Sequence, residues 1–395
     1  MRLLDKYIAY SSIFALFTED FYFNYGIDIK LYYVILLSNF LLISYYKKVT
    51  VNKNHLLILI LVLVHGIINF FWFQNPVKSL IAQIIGISIS SIYYFNFIKH
   101  YKAKFVFNLY LKAAFYIAFL AIPMFYLEIN SFSEYRLNGI LTEPAHYAAI
   151  MLPAAYMFFR QKKILRFILI VFTIFLSKSS IGYIGLSLIL ILPLLKVKYF
   201  IKYAWVVVIV LGSSIYYIST QWNKPVDENK SNVLVRRLKE TNKSLNAVLT
   251  GKFDTYTNLS SYAFLSNSFI TKHIFLDNPL GTGIGSYPYQ YDKYYPLIKP
   301  PPYLIELNQS KINRTDANSL FLRLLSDLGI FAILLFLFFI SRSIKLFKRE
   351  HSYIQQGAFF YLIVKIIREG HYFSPEFYFF LLIFLKDFDE DITHS

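Results

Sequence analysis

Apolar residues in this chain fall in runs of about twenty rather than at the spacing of an amphipathic surface helix, the pattern of segments that cross a bilayer. A backbone facing lipid has to satisfy its own hydrogen bonds, and the runs lack the strict alternation of a transmembrane barrel strand, so helices are predicted. The expected fold class is all-α, a polytopic membrane helical bundle. Runs and breakers place spans near residues 6–24, 31–46, 55–73, 79–98, 106–128, 144–159, 164–177, 180–195, 203–219, 318–341, 353–367 and 375–386, about twelve in all. Those at 164–177 and 375–386 are short for a hydrocarbon core of about 30 Å, and the one at 6–24 carries Glu19 and Asp20, so ten or eleven full spans would also fit. The same acidic pair stands where a signal peptidase would want small residues, so the first helix is expected to be retained.

The hydrophilic stretch 220–317 divides the chain into three: residues 1–219 with about nine spans, 220–317 as a subdomain outside the membrane, and 318–395 with about three spans and a short tail. Within the middle part, VLVRRLKETNKSLNAVL has apolar residues at helical spacing and a basic face, and a helix or two is expected there. NPLGTGIGSYPYQYDKYYPLIKPPPYL is too rich in Gly, Pro and Tyr for a helix and is expected to be an ordered loop. The hydropathy pattern shows no internal repeat, which argues against an inverted-repeat transporter.

Charge fixes an orientation. With a cytoplasmic N-terminus, the short cytoplasmic loops carry seventeen cations, among them Lys47, Lys48, Arg160, Lys163, Arg166, Arg342 and Arg349. The short outer loops carry five: Lys30, Lys78, Arg136, Lys178 and Arg368. The net charge of +17 is therefore a topology signal and not the basic stripe of a nucleic-acid binder, and no nucleic-acid partner is expected. With no cysteine, the chain has neither disulfides nor thiolate metal ligands.

Candidate chemistry lies at the outer ends of the spans. RLNGILTEPAHY brings Arg136, Glu143 and His146 within eleven residues. Arg136, Lys178, Arg314 and Arg368 put cations on a face where fixed positive charge is scarce, and such cations either snorkel to lipid headgroups or bind an anion such as pyrophosphate. Glu143, just before Pro144, is a dipole partner for a helix start or, with His146, a general base for a sugar hydroxyl. In RTDANSLFLRLLSDLGI, Asp316 and Asn318 are helix caps or substrate ligands, and Arg323 with Asp327 reads as a self-neutralising pair four residues apart. REGHYFSPEF adds Arg368, Glu369 and His371 on the last outer loop. Tyr287 and Tyr289 open a run of six tyrosines up to Tyr303, whose rings suit the apolar faces of sugars. His65 lies mid-span, as a hydrogen-bonded structural histidine or a proton relay. Glu19 and Asp20 are a weak candidate for a divalent cation; the site is otherwise expected to be metal-free.

The order of these parts resembles the Wzy-type O-antigen or capsule repeat-unit polymerases, a family related to the O-antigen ligases. An R-x-x-G-x-x-x-E-P segment (Arg136, Gly139, Glu143, Pro144) opens a middle span, and Ser177, Lys178, Ser179 and Gly182 follow. Pro279, Gly281 and Gly283 lie in one large outer segment, and Asn318 and Gly329 open a late span. The resemblance implies transfer of a growing glycan from undecaprenyl pyrophosphate to another lipid-linked repeat unit on the outer leaflet of a bacterial cytoplasmic membrane, with both termini cytoplasmic and no cofactor. It also implies the bilayer and a chain-length regulator as partners. Arg136 and Arg314 would stabilise the departing pyrophosphate, Glu143 or His146 would act on the acceptor hydroxyl, and Lys178, Asp316, Asn318, Arg368, His371, Tyr287 and Tyr289 would bind substrate. Lys178 stands where an arginine is frequent in relatives. Ligases usually have a histidine before the span-opening asparagine; Ala317 occupies that place here, which favours a polymerase. A ligase and a lipid-linked oligosaccharide flippase are the rival expectations.

Overall fold

The computed structural model describes residues 2–18, 21–24, 28–129, 136–192, 246–255, 257–349, 352–374 and 376–386. Glu19 and Asp20, the span expected at 203–219 and most of the helix expected within 220–245 lie outside the described residues. Among the described residues the fold is helical, with a single short hairpin.

The first helix, α1 (Leu3–Ala15), stops well short of the expected span. A hairpin follows, with β1 (Tyr22–Asn24) antiparallel to β2 (Asp28–Lys30) and Tyr22 opposite Lys30. Aromatic and β-branched residues around turn-forming Asn, Gly and Asp favour this over continued helix. Next come α2 (Leu31–Tyr46), α3 (Lys53–Phe73), α4 (Val77–Tyr101), α5 (Ala103–Tyr126), α6 (Pro144–Arg160), α7 (Ile164–Leu176) and α8 (Ser180–Ile191), all close to their expected places. After a short turn of helix, α9 (Ala247–Thr250), come α10 (Leu259–Asp277), α11 (Tyr287–Tyr294) and α12 (Pro302–Glu306). The last helices are α13 (Leu320–Leu328), α14 (Ile330–Lys348), α15 (Tyr353–Arg368) and α16 (Phe377–Leu385).

Among the described residues, four helices are long and apolar enough to cross a membrane: α3, α4, α5 and α14. The chain is thus a helical membrane protein. On α3 and α14 most of that apolar surface is uncovered, including Leu57, Ile58, Leu61, Leu334 and Leu337, as expected where the solvent is lipid. By contrast α6 is buried along nearly its whole length, packed on α15 and flanked by α7 and α8. Small residues permit this. A Cβ on Gly185 of α8 would lie 2.2 Å from the Leu152 side chain, and one on Gly182 would meet Ile174 at 2.7 Å and Ala148 at 3.0 Å.

Glycines also explain why the span expected at 318–341 is two helices. Gly329 adopts φ +58°, ending α13 before α14 begins, and its backbone presses on the loop at Pro279, where an added Cβ would sit 2.1 Å from the carbonyl oxygen. Ile330 N donates to Pro279 O at 2.8 Å, and Thr282 N and Gly283 N donate to Ser326 O and Asp327 O. The loop itself is seated on the ends of α3 and α4. Asn75 Nδ2 donates to Thr282 O at 2.9 Å, and Tyr289 Oη lies 3.0 Å from Ser79 Oγ. His65 Nε2 is 2.9 Å from Leu280 O, which accounts for that histidine as a structural tie.

The Tyr- and Pro-rich segment is more helical than expected. Pro288 sits in the first turn of α11, where a missing N–H does no harm, and Tyr287, Tyr291 and Tyr294 fall on one face at helical spacing. They are buried with Tyr262, Phe269, Ile270 and Leu304 in a core belonging to this segment.

Candidate functional site

Three separate parts of the chain converge at one end of the bundle. The first is the loop before α6. Leu137 N donates to Leu176 O at 3.1 Å and Arg136 Nε to Ser177 O at 3.3 Å, tying the loop to the end of α7. Asn138 Nδ2 donates to Leu141 O at 2.6 Å, and Gly139, at φ +60°, fits against Tyr147 and Ala121 where a Cβ would be 3.2–3.3 Å from both. This turn delivers Glu143 to the N-cap of α6 and Pro144 to its first position, leaving the Glu143 side chain exposed and His146 half-buried on the first turn.

The second part is the segment before α13. Ser319, and neither Asp316 nor Asn318, caps that helix: its Oγ accepts from Leu322 N at 3.3 Å. Asp316 Oδ1 instead accepts from Asn318 N at 3.2 Å. Ala317 and Asn318 both have positive φ, and Asn318 keeps a buried Nδ2 with no partner among the described residues. That donor is available to an acceptor oxygen.

The third part is the loop after α15, held against the second by close backbone contact. A Cβ on Gly370 would lie 1.4 Å from Asp316 O, so only glycine permits this crossing. Arg323 and Asp327, the expected pair, act on each other's charge through space without a direct ion pair, and each is bonded to other groups. Arg323 Nη1 donates to Gly370 O at 2.9 Å with its guanidinium 4.2 Å from the Tyr372 ring centre, and Asp327 accepts from Tyr372 Oη at 2.8 Å, Gly285 N at 3.0 Å and Ser286 Oγ at 3.1 Å. Both charges thus clamp the 370–372 loop to α13.

The convergence is electrostatic as well. Arg368 feels the charges of Glu143, Arg136 and Asp316. His371 Nε2 stands 3.5 Å from Asp316 Oδ2. Its side chain is 53% exposed, yet crowding by protein pulls its pKa below the ordinary value against the opposing charge of Asp316. Behind it lies a buried pair: Lys365 Nζ is 2.5 Å from Glu369 Oε1 and 2.7 Å from Ser374 Oγ, with the lysine side chain wholly inaccessible. Burial opposes ionisation of Glu369, but Lys365, His146 and His371 overcome it and draw the carboxyl down to about 2. An ionised carboxylate is therefore held where the charge of His146 acts on it. The sequence reading missed Lys365; a lone lysine near the end of an apolar span, four residues before a glutamate, is the signal that marks it.

Other expected site residues lie elsewhere. Arg314 is committed to Asp292, its Nε 2.9 and 3.0 Å from the two carboxylate oxygens and its Nη2 bonded to Oδ2, and Asp292 with the nearby tyrosines dominates its surroundings. The expected partnership of Arg314 with Arg136 is thus replaced by a tie within the outer segment. Tyr287 is fully buried and donates to Asn267 Oδ1 at 2.6 Å, so its ring has no face free for a sugar; Tyr289 is 40% exposed. Lys178 is exposed at the turn between α7 and α8, at φ +47°, one residue beyond the carbonyl that Arg136 holds.

The fold and site define a helical membrane protein with a cluster of cations, carboxylates and histidines at one end of its bundle. A family model described as O-antigen ligase matches residues 165–337, which supports the O-antigen ligase/polymerase superfamily of membrane proteins that handle lipid-linked glycans. The matched stretch contains Lys178, Arg314, Asp316 and Asn318. No curated protein and no solved structure matches the chain.

Proposed function

We propose that the protein is a polysaccharide polymerase of the bacterial cytoplasmic membrane. It transfers a growing glycan from undecaprenyl pyrophosphate to a second lipid-linked oligosaccharide repeat unit on the outer leaflet. The observation that carries this reading is the close crossing of Gly370 over Asp316, with His371 Nε2 3.5 Å from the Asp316 carboxylate, which brings the end of α15 and Arg368 to the segment before α13. In the transfer, the bond from the donor sugar's anomeric carbon to the pyrophosphate oxygen breaks and a bond to the acceptor hydroxyl oxygen forms. Arg136 and Arg368 take up the charge that gathers on the departing pyrophosphate. His146 accepts the hydroxyl proton, and ionised Glu369, itself anchored by Lys365, stabilises the imidazolium. Glu143 balances Arg368 in the absence of substrate. The Asn318 Nδ2 donor and His371 orient the sugars.

A ligase, using the same donor with a lipid A core acceptor, is the second reading, favoured by the description of the matching family. Ala317 supports the polymerase instead: its methyl is fully buried in the outer segment's core, where an imidazole has no room. Deleting the gene separates the readings. Loss of a polymerase leaves surface glycan with one repeat unit, loss of a ligase leaves none attached, and loss of a flippase stops export. Unchanged glycan length after deletion refutes the proposal.

A further inference from the structure

At the opposite end of the bundle a cavity of about 390 Å³ opens between α5, the end of α6 and the start of α7. Its polar lining is Asn108, Lys112, Lys163 and Arg166, and its apolar lining includes Phe105 and Phe158. Three cations thus converge on one space with no carboxylate in the lining. None of the three has a carboxylate partner among the described residues. Arg166 is fixed by two aromatic rings, its guanidinium carbon 5.1 Å from the Phe115 ring centre and 5.9 Å from that of Phe158.

Lys112 is the telling member. It lies nine residues past the start of α5, roughly 13 Å along a helix apolar enough to span the membrane. A cation at that depth has to reach water or find an anion. It lines the same cavity as Lys163 and Arg166, all three exposed, and a negative group between them relieves their mutual repulsion. The apolar walls and the lipid-facing position suit an acyl-bearing anion rather than a free one, and the basic loop 160–166 marks this as the cytoplasmic side.

We propose that this cavity binds the headgroup of an anionic phospholipid of the cytoplasmic leaflet. Asn108, Lys112, Lys163 and Arg166 meet the phosphate, and the phenylalanines flank the glycerol and upper acyl chain. The site rests on the charge-derived orientation and is independent of the glycan chemistry at the other end.

The full-length protein in a neutral detergent is titrated with phosphatidylglycerol, phosphatidylcholine or glycerol phosphate, and apparent affinity is read from the rise in thermal midpoint. Phosphatidylglycerol is expected to stabilise and the other two are not. In Lys112→Gln/Arg166→Gln the affinity for phosphatidylglycerol should fall roughly thirtyfold, from two lost charges. Lys163→Gln, an exposed loop change that spares the helices, should weaken binding about fivefold and keeps the test decisive if the double variant fails to fold. Equal affinity for phosphatidylcholine, a glycerol phosphate response matching the lipid's, or unchanged affinity in the variants overturns the proposal.

Discussion

Replacing Lys365 with methionine tests whether the site is built on a buried ion pair. Lys365 is inaccessible and its ammonium lies 2.5 Å from Glu369, so the change strands a buried carboxylate. Breaking a buried pair from one side typically costs about 3–5 kcal/mol. For a chain of 395 residues, the usual unfolding entropy per residue converts 3 kcal/mol into a fall of roughly 4 °C in thermal midpoint. Lys365→Met should show at least that loss by fluorescence-detected size-exclusion chromatography of a tagged protein in detergent. Lys365→Met/Glu369→Gln, which removes both charges, should recover more than half of it. The linkage has a definite sign: a depressed carboxyl contributes stability above pH 4.5 that disappears as pH falls toward 2, so the gap between wild type and the double variant should close on acidification. A single variant as stable as wild type, or a double variant no better than the single, refutes the reasoning.

Gly370→Ala should abolish monodisperse protein or, where protein survives, glycan transfer, because the new methyl would lie 1.4 Å from the Asp316 carbonyl; normal yield and activity contradict the crossing described here. Asp292→Asn should loosen the outer segment, read as faster limited proteolysis at neutral pH. Hydrogen bonding from Arg314 holds the Asp292 carboxyl below its ordinary 3.8, so wild-type protection should persist down to about pH 4 and fail below it, while the variant shows no such step.

Much of the helical layout was legible because lipid imposes a coarse rule on sequence. From α2 to α8 the apolar runs alone place each helix to within a few residues. Failures came where local chemistry overrode hydropathy: a hairpin-forming run cut α1 short, and Gly329 split a span that was apolar on both sides. The helix α11 hid behind its prolines, though Tyr287, Tyr291 and Tyr294 carry the spacing of a buried face. Arg136, Glu143, Asp316 and Arg368 were recognisable as charges at span ends, but their meeting depends on Gly370 and on the clamp made by Arg323 and Asp327, contacts between segments far apart in sequence. Arg314 shows the converse: its carboxylate partner, Asp292, lies 22 residues away across two helices, and no local pattern announces it.

The central claim is that Arg136 and Arg368, with His146 and the Glu369 charge that acts on it, transfer glycan from a lipid pyrophosphate. Its most direct test is the surface-glycan ladder of the deletion strain complemented at matched protein levels with wild type, Arg136→Ala, Arg368→Ala or His146→Ala. The account predicts a full ladder from wild type and collapse to a single repeat unit with each variant. A full ladder from either arginine variant would contradict it.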